Sequence, residues 1–153
     1  MAAMTYSKSG LALTEQFEGC RTEAYPDPVS NGDPWTIGYG HTGPEVHEGL
    51  VWTQQQCVEA LEQDIARFSA HVNKVVQIDL TQGEFDALVD FAFNCGTRNL
   101  DSSTLLKLVN EDSIAEAAEQ FQRWDHACGK VVAGLLKRRL AERDEFLSGS
   151  QDD

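Results

Sequence analysis

Apolar residues recur along most of this chain at three- and four-residue intervals, the period of a helix with one buried face. Leu11, Leu13 and Phe17 begin the pattern. Ser7 or Ser9 stands ahead of them to accept from the first free N–H groups, and Gly19 follows to stop the helix, which predicts a first helix over 7–18. Thr53 opens a longer stretch running through Cys57, Leu61, Ile65, Phe68 and Val72 toward Val76. Thr81 then caps a third helix, over 82–94, that turns Phe85, Leu88, Val89, Ala92 and Phe93 inward. Ser102 and Ser103 precede Leu105, Leu106 and Leu108 within a further segment at 99–110, and 114–124 and 134–147 read as two more amphipathic helices.

Between residues 22 and 50 this period is lost, and Gly, Pro, Asp, Asn and aromatic residues take over. Strand-like pieces at 23–25 and 35–39 are joined by PDPVSNGDP, a run of turn formers, and HTGPEVHEGL at 41–50 reads as a connecting loop. The expected fold class is α+β: a mainly helical body over about 53–148 and a small β-hairpin lobe over about 22–50. The first helix is expected to pack on the body within a single domain of 153 residues.

Composition narrows the function classes. No apolar run approaches the roughly 18 residues that span a bilayer, and the start of the chain does not resemble a secretory signal, so neither membrane insertion nor signal-dependent export is expected. The net charge is −13, with no Lys or Arg between residues 22 and 66. So acidic a surface lacks the basic face that neutralises phosphates, and nucleic acid is not an expected partner. Cys20, Cys57, Cys95 and Cys128 lie far apart without a C-x-x-C pair, and read as small buried side chains kept reduced. The histidines show no metal-ligand spacing, and nothing in the chain calls for a metal or cofactor.

Glu18, Asp27 and Thr36 are the residues with candidate chemistry. Glu18 falls in the last turn of the first helix, where the macrodipole disfavours a carboxylate, an odd place for a decorative acid. Asp27 sits between two prolines and Thr36 in a strand. Two carboxyl groups drawn from different local structures are the minimum for cleaving a glycosidic bond. A turn-forming Asp and a β-branched strand residue are equally ordinary, so spacing by itself leaves both readings open.

Longer motifs add to this. F-E-G-C-R-x-x-A-Y-x-D followed by W-T-I-G-Y-G-H closely resembles the catalytic segment of phage endolysins of glycoside hydrolase family 24, which includes the T-even and lambdoid phage muramidases. FAFNCGTRNLDSSTLLKLVN resembles the second signature of that family, and FQRWDHACGKVVAGLLKRRLAERDEFL its closing helices. The resemblance covers nearly the whole chain in the family's order. It implies a lysozyme-like fold with the cleft between the helical body and the β lobe, and hydrolysis of the β-1,4 bond between N-acetylmuramic acid and N-acetylglucosamine. Carried over position by position, it implies that Glu18 protonates the leaving oxygen and that Thr36 orients water. Asp27 then stabilises developing positive charge, or acts as base or nucleophile. Gly38, Tyr39, Gly40, His41 and Ser102 match further positions and are carried as substrate-binding residues, although His41 also reads as a tie between the β lobe and the long helix. One of Lys137, Arg138 and Arg139 is expected to approach Glu18.

The same resemblance implies a bacteriolytic hydrolase of phage host-cell lysis. It would be monomeric, held in the host cytoplasm until a holin opens the way to the periplasm and cell wall, with peptidoglycan as partner. Other uses of the same residues are a lytic transglycosylase, a secreted antibacterial muramidase, or a wall-binding module without catalysis.

Overall fold

The computed structural model describes residues 3–28, 30–127, 130–131 and 133–149. They form two compact units, residues 14–66 and the described parts of 1–13 and 67–153. Both boundaries fall inside helices, α1 (Lys8–Glu18) and α2 (Gln54–Val75).

In the unit 14–66, strands β1 (Arg21–Tyr25), β2 (Thr36–Gly38) and β3 (His41–Thr42) make an antiparallel sheet in that order. Tyr25 pairs with Thr36, Thr36 with Thr42, and Ile37 with His41. A loop was expected at 41–50, but its first two residues form β3. Just beyond its end, Val51 bridges Glu23 while Trp52 N–H donates to Thr22 (2.8 Å). Alternation explains why this was hidden, since a two-residue strand and a single bridge carry no period-two pattern. Ala24, Ile37 and Val46 are the buried centre, with Trp35, Leu50 and Trp52 packed around them. Thr53 begins α2 with a reciprocal cap: its hydroxyl accepts from Gln56 N–H (3.1 Å), and its own N–H donates to Gln56 Oε1 (2.8 Å).

The other unit is helical. Helix α3 (Gln82–Cys95) starts in a complete capping box, Thr81 with Glu84, and is buried from Phe85 through Ala92. It packs against α7 (Ala133–Ser148). Around the segment 99–110 lie two helices, α4 (Thr97–Ser102) and α5 (Thr104–Asn110), and of the two serines ahead of Leu105 it is Ser103, extended between the helices, that caps the second. Its hydroxyl donates to Leu100 O (2.7 Å) and accepts from Leu106 N–H (3.0 Å), replacing the backbone bonds it interrupts. The helix expected at 114–124 is shorter. Helix α6 (Ile114–Ala118) gives way to a 3-10 turn at Phe121–Arg123 and then to a hairpin of β4 (His126–Ala127) and β5 (Lys130–Val131). Among the described residues no helix is long and apolar enough to cross a membrane.

Two arginines of α7 bond buried groups of this unit. The Arg138 guanidinium grips the buried Asp90 with two bonds of 2.9 Å, and Arg139 bonds Glu142 (2.8 Å) and Asn94 (2.8 Å). Arg139 Nε also lies 2.7 Å from Glu142 Oε1, at an angle that makes this an ionic contact. Burial and the neighbouring Asp90 push the Glu142 carboxyl well up, while both guanidinium groups pull the other way.

Candidate active site

Helix α1 ends at Glu18 because Gly19 follows in the left-handed region (φ 67°), its N–H closing back on Glu15 O at 3.0 Å. The Glu18 carboxylate rests against Gly40, where a Cβ would stand 2.7 Å from Oε1. Gly40 also has a φ of 82°, which L side chains rarely adopt. The helix end and the turn after β2 are thereby fitted to each other. Residues 14–66 contain Glu18, Asp27 and Thr36 together, so the last turns of α1 fall in the same unit as the sheet while its first residues fall in the other.

Asp27 is the hinge of the β1–β2 connection. Its Oδ2 accepts from Ser30 N–H (2.9 Å), its carbonyl from Asn31 N–H (2.7 Å), and its own N–H donates to Gly32 O (3.0 Å). It is a turn former in fact as well as a candidate carboxylate, and the turn holds it in one place. Thr36 is half-buried, with its neighbour Ile37 fully buried on the opposite side of the strand.

The remaining candidates separate. Gly38 (φ 68°) is buried, and a Cβ there would touch Trp52 and Cys57, both at 3.4 Å. Tyr39 is buried too, and its hydroxyl accepts from Gln54 Nε2 (2.8 Å) at the start of α2. Burial raises the Tyr39 pKa, against the pull of Gln54 and with help from Glu15 and Cys20. His41 is clamped on both ring nitrogens, Nδ1 at 2.7 Å from Asp64 and Nε2 at 2.6 Å from Glu45. Ser102 lies in the helical unit, exposed, its hydroxyl donating to Arg98 O (3.2 Å). It borders a hollow of about 480 Å³ with Thr104, Gln120, Arg123, Trp124 and His126. The Trp124 ring meets Phe91 edge-on, centroids 5.3 Å apart.

Asp64 and Gln54 were not anticipated. Asp64 had a legible signal, for it lies seven residues after Cys57 on the apolar stripe of α2, where a carboxylate needs a partner. The cysteines are unpaired where described: Cys57 is buried, Cys20 and Cys95 half-buried, and Cys128 lies outside the described residues. Burial, then contact with the Cys20 thiol, pushes Cys57 up to about 11. Among the described residues no three His, Cys, Asp or Glu groups are placed to hold a metal ion.

Two expected results follow from this geometry. Gly40→Ala puts a methyl where Glu18 Oε1 stands, in a backbone conformation that resists it. Any turnover that depends on the Glu18 carboxylate should fall by about two orders of magnitude through its misplacement, with KM changed little. Unchanged turnover in that variant contradicts the fit. For His41, burial works against the charged ring, but the bonds to Glu45 and Asp64 outweigh it and raise the pKa above 6.5. Protonated His41 therefore favours the folded state. Its contribution is complete below pH about 6.5 and is lost as pH rises through the higher folded value. The melting temperature should decline across that window in the natural chain and much less in Asp64→Asn; parallel profiles would remove the clamp from the account.

Residues 15–142 match the phage lysozyme family. The chain belongs to that family. It is 43% identical over 146 residues to the endolysin of Bacillus phage B103, covering 95% of this chain and 55% of that protein. A SAR-endolysin of Bacteriophage PS119 is 36% identical over 143 residues, 94% of this chain and 84% of that protein. The chain thus spans little more than half the length of the Bacillus phage relatives it matches. Among solved structures, the endolysin from Escherichia coli O157:H7 phage FAHEc1 superposes with a TM-score of 0.88 at 34% identity, covering 99% of each chain. The muramidase domain of SpmX from Asticaccaulis excentricus gives 0.86 at 36% identity, covering 94% of this chain and 98% of that one. The fold of this phage lysozyme family member is lysozyme-like, α+β, as the motifs implied.

Proposed function

We propose that this chain is a glycoside hydrolase of the lysozyme type that cleaves the β-1,4 bond between N-acetylmuramic acid and N-acetylglucosamine of peptidoglycan, as an endolysin in phage host-cell lysis. The observation that carries the reading is the Glu18 carboxylate lodged against Gly40, in the unit that also holds Asp27 and Thr36, in a chain of the phage lysozyme family.

In this reading Glu18, protonated when substrate binds, gives its proton to the leaving glycosidic oxygen. Asp27, held by its turn, faces the positive charge that develops on the sugar, and Thr36 orients the attacking water. Gly38 and Tyr39 act through the sheet and α2 to keep Gly40 in place, and His41 does the same through Asp64. Ser102, on the rim of the Trp124 hollow, touches the glycan. The reaction takes no metal or cofactor. The enzyme works as a monomer on the cell wall, reaching it from the host cytoplasm through a holin-made opening, and binds neither nucleic acid nor the interior of the membrane.

Digestion of purified peptidoglycan followed by mass spectrometry tests the reaction. Hydrolysis leaves reducing N-acetylmuramic acid ends, one water heavier than the 1,6-anhydro ends a lytic transglycosylase leaves. Anhydro ends, or no cleavage at all, would overturn the proposal.

A further inference from the structure

Behind the sheet lies a second hollow, of about 220 Å³, that the proposed reaction leaves unused. Its wall is the face of α2 bearing Gln56, Glu59, Ala60 and Gln63, and its other side is made by His41, Glu45 and Trp52. All seven residues belong to the unit 14–66. Thr36 pairs with Thr42 and Ile37 with His41, and successive strand residues face opposite ways. His41 and this hollow are therefore on the face of the sheet away from Thr36.

The lining has a distinct polarity. Its charged groups are already engaged: Glu45 is bonded to His41 and held below 4.5 by it, and Glu59 accepts from Gln55 Nε2 (3.0 Å). Gln56 uses its carbonyl oxygen on Thr53 N–H, which leaves its amide donors toward the hollow. Neither the indole N–H of Trp52 nor the amide of Gln63 meets a hydrogen-bond partner among the described residues. Ala60 leaves a low, flat floor between them. Unspent neutral donors and acceptors beside an aromatic ring suit a neutral ligand with an apolar face and equatorial polar groups. A cation would find the carboxylates already partnered.

We propose that this hollow is a second saccharide site, taking an N-acetylhexosamine ring of a glycan strand other than the one being cleaved. The Trp52 N–H and the Gln63 and Gln56 amides bond its hydroxyl and acetamido groups. Its use as a wall anchor rests on the peptidoglycan reading above. An anchor of this kind would keep an acidic enzyme on an anionic wall by hydrogen bonding, where long-range charge attraction is lacking.

The test is a titration of the isotopically labelled protein with tri-N-acetylchitotriose, following the Trp52 indole N–H by NMR, with Trp52→Phe used only to assign the signal. The signal should shift saturably. Gln63→Ala should weaken that binding by about five-fold, and Ala60→Arg, which fills the floor, should abolish it. Both variants should cleave soluble glycan fragments as the natural chain does and be retained several-fold less on intact sacculi. A Trp52 signal that stays still while Gly40 and Thr36 respond would overturn the site, as would a response indifferent to both variants. So would tighter binding of cadaverine, a diammonium probe, than of the saccharide. A saturable Trp52 response in a protein that cleaves no peptidoglycan would instead remove the proposed reaction and leave the saccharide site standing.

Discussion

Glu18→Gln should abolish wall lysis, lowering the release of reducing ends by about three orders of magnitude or more, while thermal unfolding stays nearly where it was. The size comes from the loss of general acid catalysis, which contributes roughly 10²- to 10⁴-fold, together with any demand for protonation that glutamine cannot meet. Glutamine keeps the length and shape of the side chain, so the contact with Gly40 survives and the last turn of α1 is unaltered. The comparison with Gly40→Ala is informative: there the acid remains but is moved. If position and proton both matter, the two variants fall by different amounts at the same substrate affinity. A Glu18→Gln protein that still clears purified wall at the natural rate would take Glu18 out of the chemistry. The proposed reaction would then stand without its acid.

Arg138→Ala should be the most destabilising of the simple truncations, costing about 3–5 kcal/mol and lowering the melting temperature by on the order of 10 °C. Asp90 is fully buried in α3, and two 2.9 Å bonds from Arg138 answer its carboxylate. Removing the guanidinium leaves that acid facing Glu142, already pushed up by burial and by Asp90 itself. The loss should be partly recovered by Arg138→Ala combined with Asp90→Asn, since an amide needs no counter-charge in the interior. Circular dichroism melts of the single and double variants decide it. Full additivity of the two losses would show that the pair is not acting as a pair.

Much of the molecule was legible as pattern. The first, second and third helices follow from apolar spacing and from Ser7, Thr53 and Thr81, whose hydroxyls do accept from the first-turn N–H groups. The first two strands could be placed because turn formers bracket them. Short elements were not legible. Strand β3 and the β4–β5 pair depend on two residues in each strand, too few for any period to stand out, whereas the break before α5 was signalled by its capping serines and Ser103 makes it. Nor could spacing announce that Arg138 and Arg139 answer acids buried in α3 and α7, since those pairings depend on which helices meet.

By itself, the sequence determined the α+β class, the family and the candidate trio, because helix periodicity, capping residues and long ordered motifs are local properties of the chain. Only the tertiary structure decided that Glu18 shares a unit with the sheet, that Gly40 lacks a side chain to leave room for its carboxylate, and that His41 is gripped by Asp64 and Glu45. Each of these depends on which atoms meet across segments distant in the chain, and the steric and electrostatic terms that select them act over a few ångströms of space.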